Sequence, residues 1–281
     1  MLLFIFYLIF YISLYTKEVY LSRTNSEVIS LCKTDYKINS ENKINDYIED
    51  DVYIKYIYDK LKSSKQTNSQ NTNLKPKKNR EKIIYLTFDD GPSKLTLDVL
   101  KVLNQYDIKA TFFVVGNNVK VYPEVIVKLK EHGHAIGLHS YTHNYKHIYA
   151  NYQNFIDEMI ATQTLIYNIT QEKVDIIRFP GGSYKRLNKD FYCELKKYNF
   201  KIYDWNISSQ DGISSQSDED TILKSATENS SRSNIILLMH CRETDKKTLH
   251  VLPKIIEFYK SKGYKFETIN QSTPEYIFPF K

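Results

Sequence analysis

Thr87-Phe88-Asp89-Asp90-Gly91-Pro92 sets two carboxylates side by side at the end of an apolar run. Adjacent side chains diverge in a strand. One carboxylate can therefore bind a cation while the other faces a substrate. The plainer reading is a turn, since Asp-Gly is a common turn dipeptide. His139-Ser140-Tyr141-Thr142-His143 spaces two imidazoles at i and i+4. On one face of a helical turn such a pair can chelate one ion, although surface histidines at this spacing are not rare. Two histidines and one carboxylate make a facial set that leaves positions for water and substrate, as a catalytic site requires. Zinc suits the set, and cobalt, manganese or iron bind it too.

Arg178-Phe179-Pro180-Gly181-Gly182-Ser183 adds a permanent cation and a loop of backbone N–H groups. The cation can hold a carboxylate and an N–H can hold an oxyanion. A surface arginine beside a Gly-Gly turn is the alternative. Leu237-Leu238-Met239-His240 ends a strongly apolar run on a histidine, a candidate general acid. Strand alternation turns Cys241 elsewhere, as a packing residue. His132, His134, His147 and His250 receive no role.

These residues must be positioned by the elements around them. Short β-branched or aromatic runs predict strands over 83–88, 111–115, 135–138, 176–179, 201–205, 235–239 and 266–269. Helical periodicity falls between them, over 95–104, 123–132, 155–170, 187–198, 218–227 and 248–262. Such alternation implies parallel pairing with right-handed crossovers, in an open sheet or a small barrel. Chemistry in either architecture gathers at the C-terminal ends of the strands. Asp89 and Asp90, the two histidines of 139–143, Arg178, Asp211 and His240 all fall there.

Taken in order, these motifs resemble the polysaccharide deacetylase family, the NodB-homology domain of carbohydrate esterase family four, over roughly 81–270. The resemblance implies an α/β fold, an irregular (β/α) barrel of seven or eight units. It implies Asp89 as catalytic base and Asp90, His139 and His143 as ligands of one divalent metal ion, zinc first, with cobalt or manganese as alternatives. Arg178 would orient Asp89. Asp211, in the stretch 205–211, would tune the acid His240, and Leu237 would line an acetyl pocket. The Gly181 N–H would hold the oxyanion.

Two departures stand out. Many members carry an aromatic where Gly181 stands, which predicts a more open groove. Many carry tryptophan after the aspartate where Gly212 follows Asp211. Trp205 or Tyr184 is the expected substitute for the missing aromatic wall. The implied reaction is metal-dependent hydrolysis of acetamido groups on an amino-sugar polymer, peptidoglycan N-acetylglucosamine or N-acetylmuramic acid first. The rivals are an O-deacetylase on an acetylated polysaccharide and a non-catalytic glycan-binding module. The module predicts loss of Asp89, Asp90, His139, His143 or His240, and all five are present.

Of the 281 residues 42% are apolar, enough for a folded core. Lys and Arg outnumber Asp and Glu by 13 to 9 over 16–80 and by 26 to 24 over 81–281, so the +6 net charge sits mainly in the N-terminal part. Its basic run at 75–80 has no interleaved aromatics and no recognition motif, which argues against nucleic acid. Cys32, Cys193 and Cys241 are odd in number and far apart, so no disulfide framework is expected. Residues 1–15 are apolar and predict a membrane anchor in preference to a cleaved signal. Residues 16–80 read as a stalk, with an amphipathic helix over 42–62 and a polar linker over 63–80. The catalytic domain then spans 81–281 outside the cytoplasmic membrane, held by a single pass. Secretion is the alternative.

Overall fold

A computed structural model describes residues 81–212, 217–228 and 230–280. The apolar segment 1–15, the helix expected over 42–62 and the linker over 63–80 lie outside them. Among the described residues no helix is long and apolar enough to cross a membrane.

The strands are β1 (Lys82–Gly91), β2 (Thr111–Val114), β3 (Ala135–Leu138), β4 (Ile176–Ile177), β5 (Lys201–Ile202), β6 (Ile207–Ser208), β7 (Asn234–His240) and β8 (Tyr264–Phe266). The helices are α1 (Lys94–Gln105), α2 (Gly116–Val121), α3 (Pro123–Glu131), α4 (Tyr145–Ile148), α5 (Tyr152–Thr170), α6 (Lys189–Lys197), α7 (Glu219–Thr227) and α8 (Lys246–Ser261). The chain divides into two compact units. The described part of the smaller one is 187–200 with Phe280. In it Asn188 caps α6 by accepting from Phe191 N at 2.9 Å, and Tyr198 stacks on Phe200. Cys193 of α6 is disulfide-bonded, a correction to the expectation from cysteine spacing. Widely separated cysteines leave no local signature of a pairing.

The larger unit holds all eight strands, and every pairing is parallel. Their order is β5-β4-β3-β2-β1-β7-β6, with β8 beside the first half of β1. Laid flat, the six spacings from β5 to β6 would cover about 29 Å at ~4.8 Å each. The five-residue step from Ile202 to Ile207 reaches at most ~18 Å. The sheet therefore has to curl until its two ends approach each other. No ladder joins β5 to β6 among the described residues, so the curled sheet is a barrel open along one seam.

Strand alternation sorts the core. Ile84, Leu86 and Phe88 of β1 are fully buried on one face. On the other face Tyr85 packs at the inner cluster of Phe113, Ile176, Tyr203, Ile236 and Ile269. Thr87 and Asp89 continue that inner face toward the strand ends. Six of the seven expected strands are present, β4 and β5 shorter than expected, and the one expected over 266–269 is displaced to Tyr264–Phe266, sharing only Phe266. β6 is additional, and its two residues carry no apolar run to mark it.

The turn after β1 is built into α1. Ser93 caps the helix, its Oγ accepting from Leu95 N at 3.1 Å and donating to the Cys241 carbonyl at 2.6 Å. One hydroxyl thus ties the end of β1 to the residue after β7. Ser93→Ala should cost about 1–2 kcal/mol in urea unfolding, from the lost cap and the carbonyl left unpaired. An unchanged midpoint would show that the tie adds no stability.

Candidate active site

The register of β1 breaks at Asp90. Asp89 pairs with Phe113 and Gly91 with Val114, so Asp90 is an extra, unpaired residue in left-handed conformation, φ 68°. This bulge corrects the expectation of diverging carboxylates, because a bulge re-aims a side chain. Asp89 Oδ2 and Asp90 Oδ1 lie 3.7 and 3.5 Å from the same atom, His139 Nε2. Asn118 holds the bulge by donating to the Asp90 carbonyl at 2.8 Å.

The two histidines meet, but not on a helix. His139 follows β3, and Ser140 and His143 both take left-handed conformations, φ 66° and 56°. Such backbone costs about 1–2 kcal/mol per residue, and a loop keeps it only when its surroundings hold it. His139 Nδ1 lies 3.0 Å from the Arg178 carbonyl, which can only accept, so the proton sits on Nδ1 and the Nε2 lone pair is free. Burial pushes the His139 imidazole below its ordinary pKa against the attraction of Asp89 and Asp90, which favours the neutral form a ligand needs.

Asp90, His139 and His143 each offer one ligand atom, all within 4.8 Å of one another. Asp90 Oδ1 is buried without a hydrogen-bond partner, although His143 Nε2 is 3.2 Å away. An orphaned carboxylate oxygen between two imidazole nitrogens fits a divalent cation.

Arg178 is fully buried. Its Nη1 donates to Asp89 Oδ1 at 2.8 Å and to Thr87 Oγ1 at 2.7 Å. Nε donates to the Tyr203 carbonyl at 2.7 Å and Nη2 to the Asp204 carbonyl at 3.2 Å. The loop after Arg178 is anchored by Asp204, whose carboxylate accepts from Ser183 N at 2.9 Å, from Ser183 Oγ and from Phe278 N at 2.7 Å. Gly181 has φ 72°, and a Cβ there would meet Arg186 Nη1 at 2.6 Å and Tyr145 Oη at 3.0 Å. The groove at Gly181 is therefore not simply opened. The space is taken by the Arg186 guanidinium, which lies over the rings of Tyr145 and Tyr149.

On the other side, Asp211 and His240 form a couple. His240 Nδ1 lies 2.8 Å from Asp211 Oδ1, while the His240 N–H and Thr248 Oγ1 each donate to Asp211 Oδ2 at 2.8 Å. Burial would lower the His240 pKa, but the Asp211 hydrogen bond and charge outweigh it and raise it to about 9. Gly212 is required here, since a Cβ would meet His240 Cε1 at 2.4 Å. The register pairs His240 with Asp89 across neighbouring strands.

Asp89, Asp90, His139, His143, Arg178, Asp211 and His240 are thus gathered at one end of the sheet. Trp205 backs the loop edge-on to Phe278, its ring 3.0 Å from the place of a Gly182 Cβ. Tyr184 is half exposed. Leu237 is not brought to the site. It is fully buried and pairs with Leu86, three residues before His240 and so on the opposite face of the strand. Leu238, paired with Thr87, shares the face of His240. Sequence reasoning missed Glu158, Asp204 and Thr248, which hold the site from elements elsewhere in the chain. Only their polarity at periodic buried positions could have marked them.

Residues 76–203 match the family model described as polysaccharide deacetylase. The chain is 35% identical over 196 residues to a peptidoglycan-N-acetylglucosamine deacetylase of Bacillus cereus, covering 68% of this chain and 71% of that protein. The crystal structure of a polysaccharide deacetylase from Bacillus cereus is similar at 34% identity and a TM-score of 0.66, over 70% of this chain and 96% of that one. The catalytic domain of a peptidoglycan N-acetylglucosamine deacetylase from Eubacterium rectale is similar at 29% identity and a TM-score of 0.62, over 77% of this chain and 98% of that one.

The His240 couple is directly measurable. In metal-free protein followed by NMR, the His240 ring should stay protonated up to about pH 9, and Asp211→Asn should bring the midpoint down past the ordinary value of 6.5. With the carboxylate gone, burial alone acts on the imidazole, and burial disfavours its charged form. A midpoint unmoved by Asp211→Asn would remove Asp211 as the cause.

Proposed function

The chain belongs to the polysaccharide deacetylase family, and on that premise we propose that it is a metal-dependent N-deacetylase acting on peptidoglycan amino sugars. The observation that carries this reading is the orphaned Oδ1 of Asp90 set against two imidazoles. On the same rim stand Asp89, held by Arg178, and, paired with it in register, His240, kept protonated by Asp211.

Asp90, His139 and His143 would hold the ion, zinc first, with cobalt or manganese as alternatives. When bound, a divalent cation supplies Lewis acidity toward the amide carbonyl and acidifies water. Asp89 takes the proton of the attacking water. Arg178 occupies its Oδ1, so Oδ2, on the His139 side, is the oxygen left for that proton. The water oxygen bonds to the acetyl carbon, and the Gly181 N–H donates to the oxyanion, where one such donor is worth about 3 kcal/mol. The C–N bond then breaks as His240 Nε2 delivers a proton to the sugar nitrogen, because an amine leaves poorly unless protonated. Acetic acid and the amine result, the acid's proton passing to the amine to give acetate and an ammonium group, and the proton on Asp89 is returned to His240 by exchange with solvent. Leu238, on the site-facing side of β7, takes the acetyl-lining place expected of Leu237, and Trp205 and Tyr184 are the sugar-facing aromatics. The reading extends to residues 1–15 as a membrane anchor, to 16–80 as a stalk and to 81–281 as an extracytoplasmic catalytic domain. It is supported by the apolar composition of 1–15.

Mass spectrometry of muropeptides incubated with the protein and zinc should show loss of acetyl groups from amino sugars. Conversion of O-acetylated oligosaccharides alone would overturn the N-deacetylase reading. His240→Ala should lower kcat about 10²–10⁴-fold with metal content intact; a variant at parental rate removes His240 as the acid. In fractionated cells, protease added outside the cytoplasmic membrane should digest the catalytic domain, and a protected, cytosolic domain would refute the anchor.

A further inference from the structure

The two imidazoles converge in a loop whose backbone is strained at Ser140 and His143, and something outside the loop has to hold it there. We propose that Glu158 is the positioning residue for the metal-binding histidines, a buried carboxylate that clamps the loop between them. The inference rests on the metal-site reading of Asp90, His139 and His143.

Glu158 lies on α5, 5% exposed, on the same face as Phe155, Met159 and Thr162. Its Oε2 accepts from both Tyr141 N and Thr142 N at 2.7 Å. Its Oε1 accepts from Thr142 Oγ1 at 2.8 Å and lies 3.6 Å from His147 Nε2. Successive backbone N–H groups around a left-handed residue form a concavity that binds an anion. Here the anion is supplied by the protein's own helix. One turn along α5, Thr162 Oγ1 donates to the Ser140 carbonyl at 2.9 Å. Glu158 and Thr162, at i and i+4, thereby grip residues 140–142, which are all the residues between His139 and His143.

A carboxylate buried on a helix is not needed to fill that volume. An apolar side chain would pack there without the desolvation of a charge. What an apolar residue cannot do is accept two adjacent amides from a strained turn. Without that clamp, Thr142 is free to move and His143 moves with it, so Nε2 leaves the vicinity of Asp90 Oδ1. No Lys or Arg pairs with Glu158 among the described residues, which leaves the loop as its main partner.

The test is metal affinity in the full chain, measured by chelator competition with zinc and by the visible spectrum of the cobalt-loaded protein. Glu158→Ala should weaken zinc binding about 10–100-fold, the range for outer-shell partners of metal ligands. The cobalt spectrum should change as the ligand geometry loosens. Glu158→Gln keeps an oxygen for the two amides and should recover most of the affinity, a rescue that loss of general stability would not predict. A folded Glu158→Ala protein with parental zinc affinity and an unchanged cobalt spectrum would overturn the proposal. If that variant does not fold, Thr142→Val decides the question. It removes one donor to Glu158, and it must weaken binding in the same direction for the proposal to stand. Asp90→Ala separates the two readings: retained affinity there means that the metal-site assignment itself has failed.

Discussion

A buried guanidinium is the constraint on which the rest of this structure depends. Arg178 carries a permanent charge with no exposure, a placement tolerable only when its donors are satisfied. They reach Thr87 and Asp89 on β1 and the carbonyls of Tyr203 and Asp204 just after β5, while the Phe113 ring of β2 lies 4.1 Å beneath. One planar group therefore binds the end of the central strand to the end of an edge strand, and it aims a carboxylate at the same time. The same residue's carbonyl fixes the tautomer of His139. Fold closure and chemical preparation share a single side chain, so neither could be altered without the other. Lysine could not replace it, having neither the planar fork nor the spread of donors.

Around that fixed point the site is assembled from local departures from regular backbone. Asp90, Ser140 and His143 are all left-handed without being glycine. Each is offset by a specific partner: Asn118 for the bulge at Asp90, and Glu158 with Thr162 for the histidine loop. The two titratable couples differ in bias. His139 is made neutral by burial, whereas His240 is kept charged by Asp211. Imidazoles on the same rim, at the ends of β3 and β7, thus stand in opposite protonation states near neutral pH.

The sequence revealed strand positions well because the apolar runs of β1, β2, β3 and β7 are strong, and it placed the reactive residues at strand ends because parallel topology demands it. It failed where the deciding contact is remote. The spacing of His139 and His143 suggested a helical turn, but two left-handed residues and a carboxylate on α5 bring the rings together instead. Leu237 was expected at the site, yet strand parity gives that face to Leu238. The bulge at Asp90 left no mark in residue type, and β6, two residues long, could not show periodicity. Glu158, Asp204 and Thr248 act over sequence separations of 16 to 74 residues, which no local pattern carries.

The seam between β5 and β6 has a consequence for self-association. An open sheet presents two rows of unpaired amides and carbonyls, a template for another chain. Here the edge strands are only two residues long. Beyond β5 the C-terminal segment takes up what is left, with Asp204 N donating to the Tyr276 carbonyl at 2.7 Å and Ile202 N to the Glu275 carboxylate at 2.7 Å. The β5 edge is thus short and already partnered and the β6 edge is short, so the unclosed seam offers little template for intermolecular β-pairing.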